Sequence, residues 1–282
     1  LFAKSERIIK EFGYKPDIIS GVSSGALLAL PIALGKWDEL YKIISNLSLD
    51  DIFDNNPVNN NGKITIKAIW RLLIGKPSLG TQNNLRVTMA NLISEKDFLK
   101  YINGVYPKVY IGVTNFNTGR FEVIDINTLK YDEYLDYVIA SASIPFAVEG
   151  VNIDNKIYFD GGVLHHICTN EIIRKFKKKI THCITVFSRP RNPDISYNNF
   201  DQIDITQVAK AYEELTTSYM SLEDQLVETE LCELYKIKNR QVFCPQVLKS
   251  IYDTNPKRLK ELYDRSYANE NKKYYFVFYS KS

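Results

Sequence analysis

Apolar runs of strand length alternate with helical stretches along this 282-residue chain, and the alternation predicts an α/β fold: a three-layer sandwich on a central, mostly parallel sheet. Two further observations support that class. A Gly-x-Ser-x-Gly turn, Gly21-Val22-Ser23-Ser24-Gly25, stands between an apolar run and an apolar helical run, and no repeat, linker or low-complexity boundary divides the chain. One domain over residues 1–282 is expected, its last part, 201–282, mainly helical.

Taken in order, Ile8 to Gly13 reads as the end of a helix, with Gly13 in the closing position. Asp17 to Ser20 is a buried strand. A helix from Ala26 carries Pro31, which would kink it, and stops near Gly35; Trp37 to Leu47 is a further helix. The density of Asn and Asp between Asp50 and Asn61, with Pro57, marks a loop. Ile64 to Ile74 follows as a helix that holds Trp70 between Lys67 and Arg71. It reads as a cap helix packed on the domain in preference to an interfacial helix resting on lipid.

Val109 to Thr114 and Arg120 to Ile124 are strands joined by a polar turn, Asn115 to Gly119. Tyr134 to Ala142 is a helix that must end before Pro145. Val151 to Ile153 and Lys156 to Phe159 alternate around Asp154-Asn155, a hairpin signal, and Ile184 to Phe187 is another strand. Ile205, Val208, Tyr212, Leu215, Tyr219, Leu222 and Leu226 recur at steps of three and four, the seam of a long amphipathic helix. That seam is expected to pack on its own sheet, with homodimerisation as the alternative. Gln241 to Pro245 resembles a closing strand, Asn255 to Ser266 a terminal helix opened by Pro256, and Tyr274 to Tyr279 an added edge strand or contact surface.

With 45% hydrophobic and 24% charged residues the chain can bury a full core. A net charge of +3, with no basic stretch interleaved with stacking aromatics, argues against a nucleic-acid partner. The run from Lys175 to Lys179 reads as a solvated helix end. Cys168, Cys183, Cys232 and Cys244 form no Cys-x-x-Cys pair, so buried, reduced thiols are expected, in a reducing compartment such as the cytoplasm. There are three histidines and no His-Glu-x-x-His pattern, so neither a metal nor another cofactor is expected. No apolar run is long enough to span a bilayer, and peripheral membrane contact stays open.

Two segments carry candidate chemistry. Gly21 and Gly25 let strand and helix approach while Ser23 projects from a strained corner, which makes its hydroxyl a candidate nucleophile; a simple small-residue turn is the plain alternative. The Ser24 amide would stand at the start of the helix, where unpaired N–H groups can stabilise an oxyanion beside Ser23. Asp160, in Asp160-Gly161-Gly162, is either a structural turn residue or the base that a serine hydroxyl requires. Gly161 and Gly162 would keep the backbone close to the Ser23 turn. A Ser-His-Asp triad is the competing arrangement, with His165 or His166 as base and Asp125, Asp132 or Asp136 as its acid.

Together these residues resemble the patatin-like phospholipases, lipid acyl hydrolases that use a serine–aspartate dyad. The resemblance rests on Pro16 to Ala26, on Ala140-Ser141-Ala142-Ser143-Ile144-Pro145-Phe146 and on Tyr158-Phe159-Asp160-Gly161-Gly162, in that order and spacing. It implies a patatin-like fold, Ser23 as nucleophile, Asp160 as base, an ester of a fatty acid as substrate, and no metal. The glycine-rich loop that supplies the family's remaining oxyanion donors would lie ahead of Leu1. Losing such a donor typically costs about 100-fold to 1000-fold in rate. A catalytically silent lipid-binding or scaffolding domain of the same fold is therefore a second reading. Relatives commonly carry Asn and Pro shortly after the Asp-Gly-Gly turn, where this chain has His166 and Cys168.

Overall fold

A computed structural model describes residues 1–59, 64–188, 205–245 and 255–268. Its main sheet has five strands: β1 (Ile18–Val22), β2 (Lys108–Asn115), β3 (Arg120–Asp125), β4 (Val151–Ile153) and β5 (Lys156–Asp160). β2 is central. β3 runs antiparallel along one edge of it, from Tyr110 to Asn115. The other edge is shared: β1 lies parallel to Lys108 through Gly112, and β5 lies antiparallel to Val113 through Asn115. β4 extends the sheet beyond β5.

The sheet is thus mixed rather than mostly parallel, although the α/β class stands. Short turns impose the difference. β4 and β5 are joined by Asp154 and Asn155, both with positive φ, and a two-residue turn permits only antiparallel neighbours. The four-residue turn after Asn115 does the same for β2 and β3. Among the described residues the parallel pairs are β1 with β2 and, in a separate two-stranded sheet, β6 (His182–Phe187) with β7 (Lys238–Phe243). The segment read as a closing strand therefore pairs with β6 and not with the main sheet.

Helices cover both faces. Before β1 stands α1 (Phe2–Glu6), continued by a π-turn to Glu11 and ended by Gly13 in the left-handed region. α2 (Ser24–Ala33) and α3 (Trp37–Asn46) follow, then α4 (Ile66–Leu73), α5 (Asn83–Leu92), α6 (Glu95–Asn103), α7 (Tyr131–Ser141), α8 (Thr169–Phe176), α9 (Ile205–Tyr235) and α10 (Pro256–Ala268). The alternation of β2 sorts the layers. Val109, Ile111 and Val113 pack with Ala26, Ala29 and Leu30 of α2 and with Tyr134 and Val138 of α7. Tyr110 points the other way, to Val22, Cys168 and Ile172 of α8.

α5 and α6 have no counterpart in the sequence reading. α6 carries a legible start: Ser94 accepts the Asp97 N–H, and the Asp97 carboxylate accepts the Ser94 N–H in return. The four cysteines are buried and free, and the Lys175 to Lys179 side chains other than Phe176 face solvent.

Two expectations about helices are reversed. The seam of α9 does not pack on the sheet: Tyr212, Leu215, Tyr219, Leu222 and Leu226 are exposed, while Ser218, Ser221, Asp224 and Glu228 are buried. Hydrogen-bond demand explains the inversion. Glu228 accepts from Thr185 of β6 at 2.6 Å and from Gln241 of β7 at 3.2 Å, and Asp224 accepts from the segment after β5, so the polar stripe is the one with partners waiting for it. The Ile205 and Val208 side chains and the Tyr274 to Tyr279 stretch lie outside the described residues. α4, expected as a packed cap, buries little more than Ala68 and turns its large apolar side chains outward.

Candidate active site

The register of β2 brings the two sequence candidates together. β1 ends with Val22 opposite Gly112, and β5, running the other way on the same edge, ends with Asp160 opposite Val113. The two strands meet end to end over consecutive residues of β2. Ser23, the next residue after β1, therefore stands beside Asp160, close enough for its side chain to act on the Asp160 carboxyl and lower its pKa.

Ser23 occupies a strained corner, with φ 56° and ψ −125°, a conformation that a side chain other than glycine adopts only when its surroundings impose it. The close approach is visible at Gly21, where a Cβ would lie 2.1 Å from the carbonyl carbon and oxygen of Gly25. Gly21 and Gly25 therefore allow the turn, Gly25 as the neighbour whose backbone fills that space. Ser24 opens α2, so its N–H belongs to the first turn, where amides have no intrahelical acceptor and the dipole is positive. The backbone N–H of Ser23 donates to Ser141 Oγ at 3.0 Å, and the Ser141 hydroxyl donates to the Gly112 carbonyl at 2.7 Å. Ser141 thus ties the corner to the central strand.

Asp160 is held from every side. Its N–H donates to the Ser143 carbonyl at 2.8 Å and its carbonyl accepts the Thr114 hydroxyl at 2.9 Å. The Ser143 hydroxyl donates to the Ile139 carbonyl and accepts Gln82 Nε2 at 2.5 Å. The Gly162 N–H donates to the Asp160 carboxylate at 2.7 Å. Gly161 sits against the backbone of β2, where a Cβ would lie 2.6 Å from the Gly112 oxygen. Burial pushes the Asp160 carboxyl up to about 6, while the hydrogen bonds from Ser23 and Gly162 pull it back. A carboxylate in this range is a better proton acceptor than an ordinary one, and still ionised at neutral pH.

The acids considered for a histidine triad are engaged elsewhere. Asp125 caps the turn at Asn127, and Asp132 and Asp136 pair with Arg86. His165 pairs instead with Asp224 of α9: its Nδ1 stands 2.9 Å from one carboxylate oxygen, and the His166 N–H donates to the other at 2.6 Å. The hydrogen bond to the Asp224 carboxylate raises the His165 pKa against the opposing effect of burial. The buried Cys168 thiol lies 3.5 Å from the Gly21 carbonyl, beneath the corner, and burial pushes its pKa up.

Ser141, Ser143, Gln82, Thr114 and Asp224 support this region without having been singled out for a role. Ser141 and Ser143 lie within the Ala140 to Phe146 segment, so their motif was legible although their contacts were not. Asp224 had no signal, since its part depends on which face α9 buries. Among the described residues no group of histidine, cysteine and carboxylate side chains is arranged to hold a metal ion.

A family model described as patatin-like phospholipase matches residues 3–171. No curated protein matches the chain. The matched segment covers more than half of the sequence and runs from α1 into α8, through both the Ser23 corner and the Asp160 turn; the chain belongs to the patatin-like phospholipase family.

Proposed function

We propose that the protein hydrolyses fatty-acyl esters of glycerophospholipids or neutral lipids through an acyl-serine on Ser23, with Asp160 as its base. Family membership supports lipid acyl hydrolysis, and the observation that carries the assignment is the meeting of β1 and β5 on adjacent residues of β2, which sets Ser23 beside a buried Asp160 carboxyl with a raised pKa. Asp160 takes the hydroxyl proton as Ser23 Oγ attacks the ester carbonyl carbon. The resulting oxyanion is met by the Ser24 N–H at the start of α2. Asp160 then gives its proton to the departing alcohol as the ester C–O bond breaks. In the second half, water loses a proton to Asp160 and attacks the acyl-serine; the fatty acid leaves and the proton returns to Ser23.

A fluorophosphonate probe tests the assignment. Labelling of Ser23, lost in Ser23→Ala together with ester hydrolysis, supports it. Labelling at another residue, or hydrolysis that survives Ser23→Ala, would overturn it.

A further inference from the structure

We infer that α4 is a membrane-docking helix that seats the protein on an anionic lipid surface. The inference rests on the proposed lipid hydrolysis only for its purpose, since docking needs no catalysis. On α4 and its ends, Ile64, Ile66, Ile69, Trp70, Leu72, Leu73 and Ile74 are all exposed, from 48% to 76% of their surface. Together they present on the order of 700 Å² of apolar surface, taking about 150–200 Å² for a full side chain, which exceeds the largest patch of a typical monomer.

The arrangement around the helix selects the occupant. At 100° per residue, Ile66, Ile69, Trp70, Leu73 and Ile74 share one side, and Leu72 widens the apolar arc to about 200°. A helix seated in a protein groove buries a narrower stripe, whereas an acyl boundary accepts a broad one. Lys67 flanks the arc and Lys76 follows it, both exposed, and no acidic residue occurs from Ile64 to Pro77. That charge complements anionic headgroups. Ala68, fully buried, marks the attached side.

The helix is fastened so that this arc faces outward beside the site. Thr65 caps it through the Ala68 N–H and donates its hydroxyl to the Asn56 carbonyl at 3.0 Å. Arg71 reaches Glu149 at 2.7 Å and the Ser78 carbonyl at 3.2 Å. After α4, the Leu79 and Gly80 N–H groups donate to the carbonyls of Phe146 and Ala147. Phe146 has positive φ and is 82% exposed, and it stands three residues from Ser143, whose carbonyl holds Asp160. Docking by α4 and Phe146 therefore sets the Ser143 to Glu149 segment, and with it Asp160, next to the lipid.

Trp70 supplies the readout, because the other tryptophan, Trp37, is buried. Full-length protein carrying Ser23→Ala, which takes hydrolysis out of the measurement, is mixed with vesicles of phosphatidylcholine alone or with phosphatidylserine. Trp70 emission is expected to shift to shorter wavelength, and co-sedimentation to be stronger with phosphatidylserine. Trp70→Glu with Leu73→Glu is expected to lower vesicle partitioning by about tenfold or more with an unchanged unfolding midpoint. Lys67→Gln with Lys76→Gln should lower it by roughly tenfold on phosphatidylserine vesicles alone. Unshifted emission, or partitioning by the Glu variant equal to the parent, would overturn the inference. So would a parent dimer that the Glu variant converts to a monomer, which would assign the face to a second copy.

Discussion

Replacing Asp160 by asparagine separates the chemistry of its carboxylate from its cost to the fold. The carboxyl is buried, and its pKa is pushed from an ordinary 3.8 up to about 6. When the folded-state pKa stands above the unfolded one, the protonated form favours the fold. The associated stability is fully present below the unfolded value and is lost as pH rises through the folded value. At about 1.4 kcal/mol per pH unit, the loss reaches about 3 kcal/mol at neutral pH and above, and is under about 1 kcal/mol near pH 4. Asparagine keeps an acceptor for the Gly162 N–H and carries no charge at any pH. Asp160→Asn is therefore expected to exceed the parent in stability by about 3 kcal/mol above roughly pH 7, with the gap narrowing to under about 1 kcal/mol toward pH 4. It should also lose ester hydrolysis. Urea unfolding of both proteins across that pH range measures the difference. A variant no more stable than the parent at neutral pH, or a gap that does not change with pH, would refute the reasoning.

The same titration governs rate, so kcat/KM for a short-chain ester should rise with pH around 6, as Asp160 ionises, and then level off; an inflection near the ordinary carboxylate value would contradict it. Ser141→Ala leaves the Ser23 N–H without its acceptor and the Gly112 carbonyl without that donor, an expected loss of about 1–3 kcal/mol in chemical unfolding, and an unchanged midpoint would show that the corner holds itself. His165→Ala should retain most of the hydrolysis, since Ser23 stands beside Asp160 and His165 is turned to Asp224; a fall of about 1000-fold or more would restore the triad reading. The raised His165 pKa also stabilises the parent below about pH 6.5, and this difference from His165→Ala should fade as pH rises through the folded-state value, in thermal unfolding followed at several pH values.

Much of the site was legible because its demands are local. A small-residue turn between strand and helix, and an Asp-Gly-Gly after a strand, are written in consecutive residues. Their meeting is not, because it depends on β1 and β5 sharing one edge of β2, a long-range pairing that no local period encodes. The hairpin of β4 and β5 is readable from Asp154-Asn155, but a local turn does not state that the pair joins β2 antiparallel and makes the sheet mixed. The inversion of α9 has a similar origin. Apolar period alone predicts which face is buried only when the polar face has no partner, and here Thr185, Gln241 and the His165-His166 segment provide partners. For α4 the helical period was right and its burial was not, since a pattern of apolar residues does not state what covers them.

Because Val22 and Asp160 dock on neighbouring positions of one strand, the peptide link between Gly112 and Val113 serves as the gauge for the spacing of hydroxyl and carboxylate. A single residue inserted there would part the two strand ends by about 3.3 Å and reverse the pleat beyond it. Both signature motifs would survive such a change intact, and proton exchange between them would not.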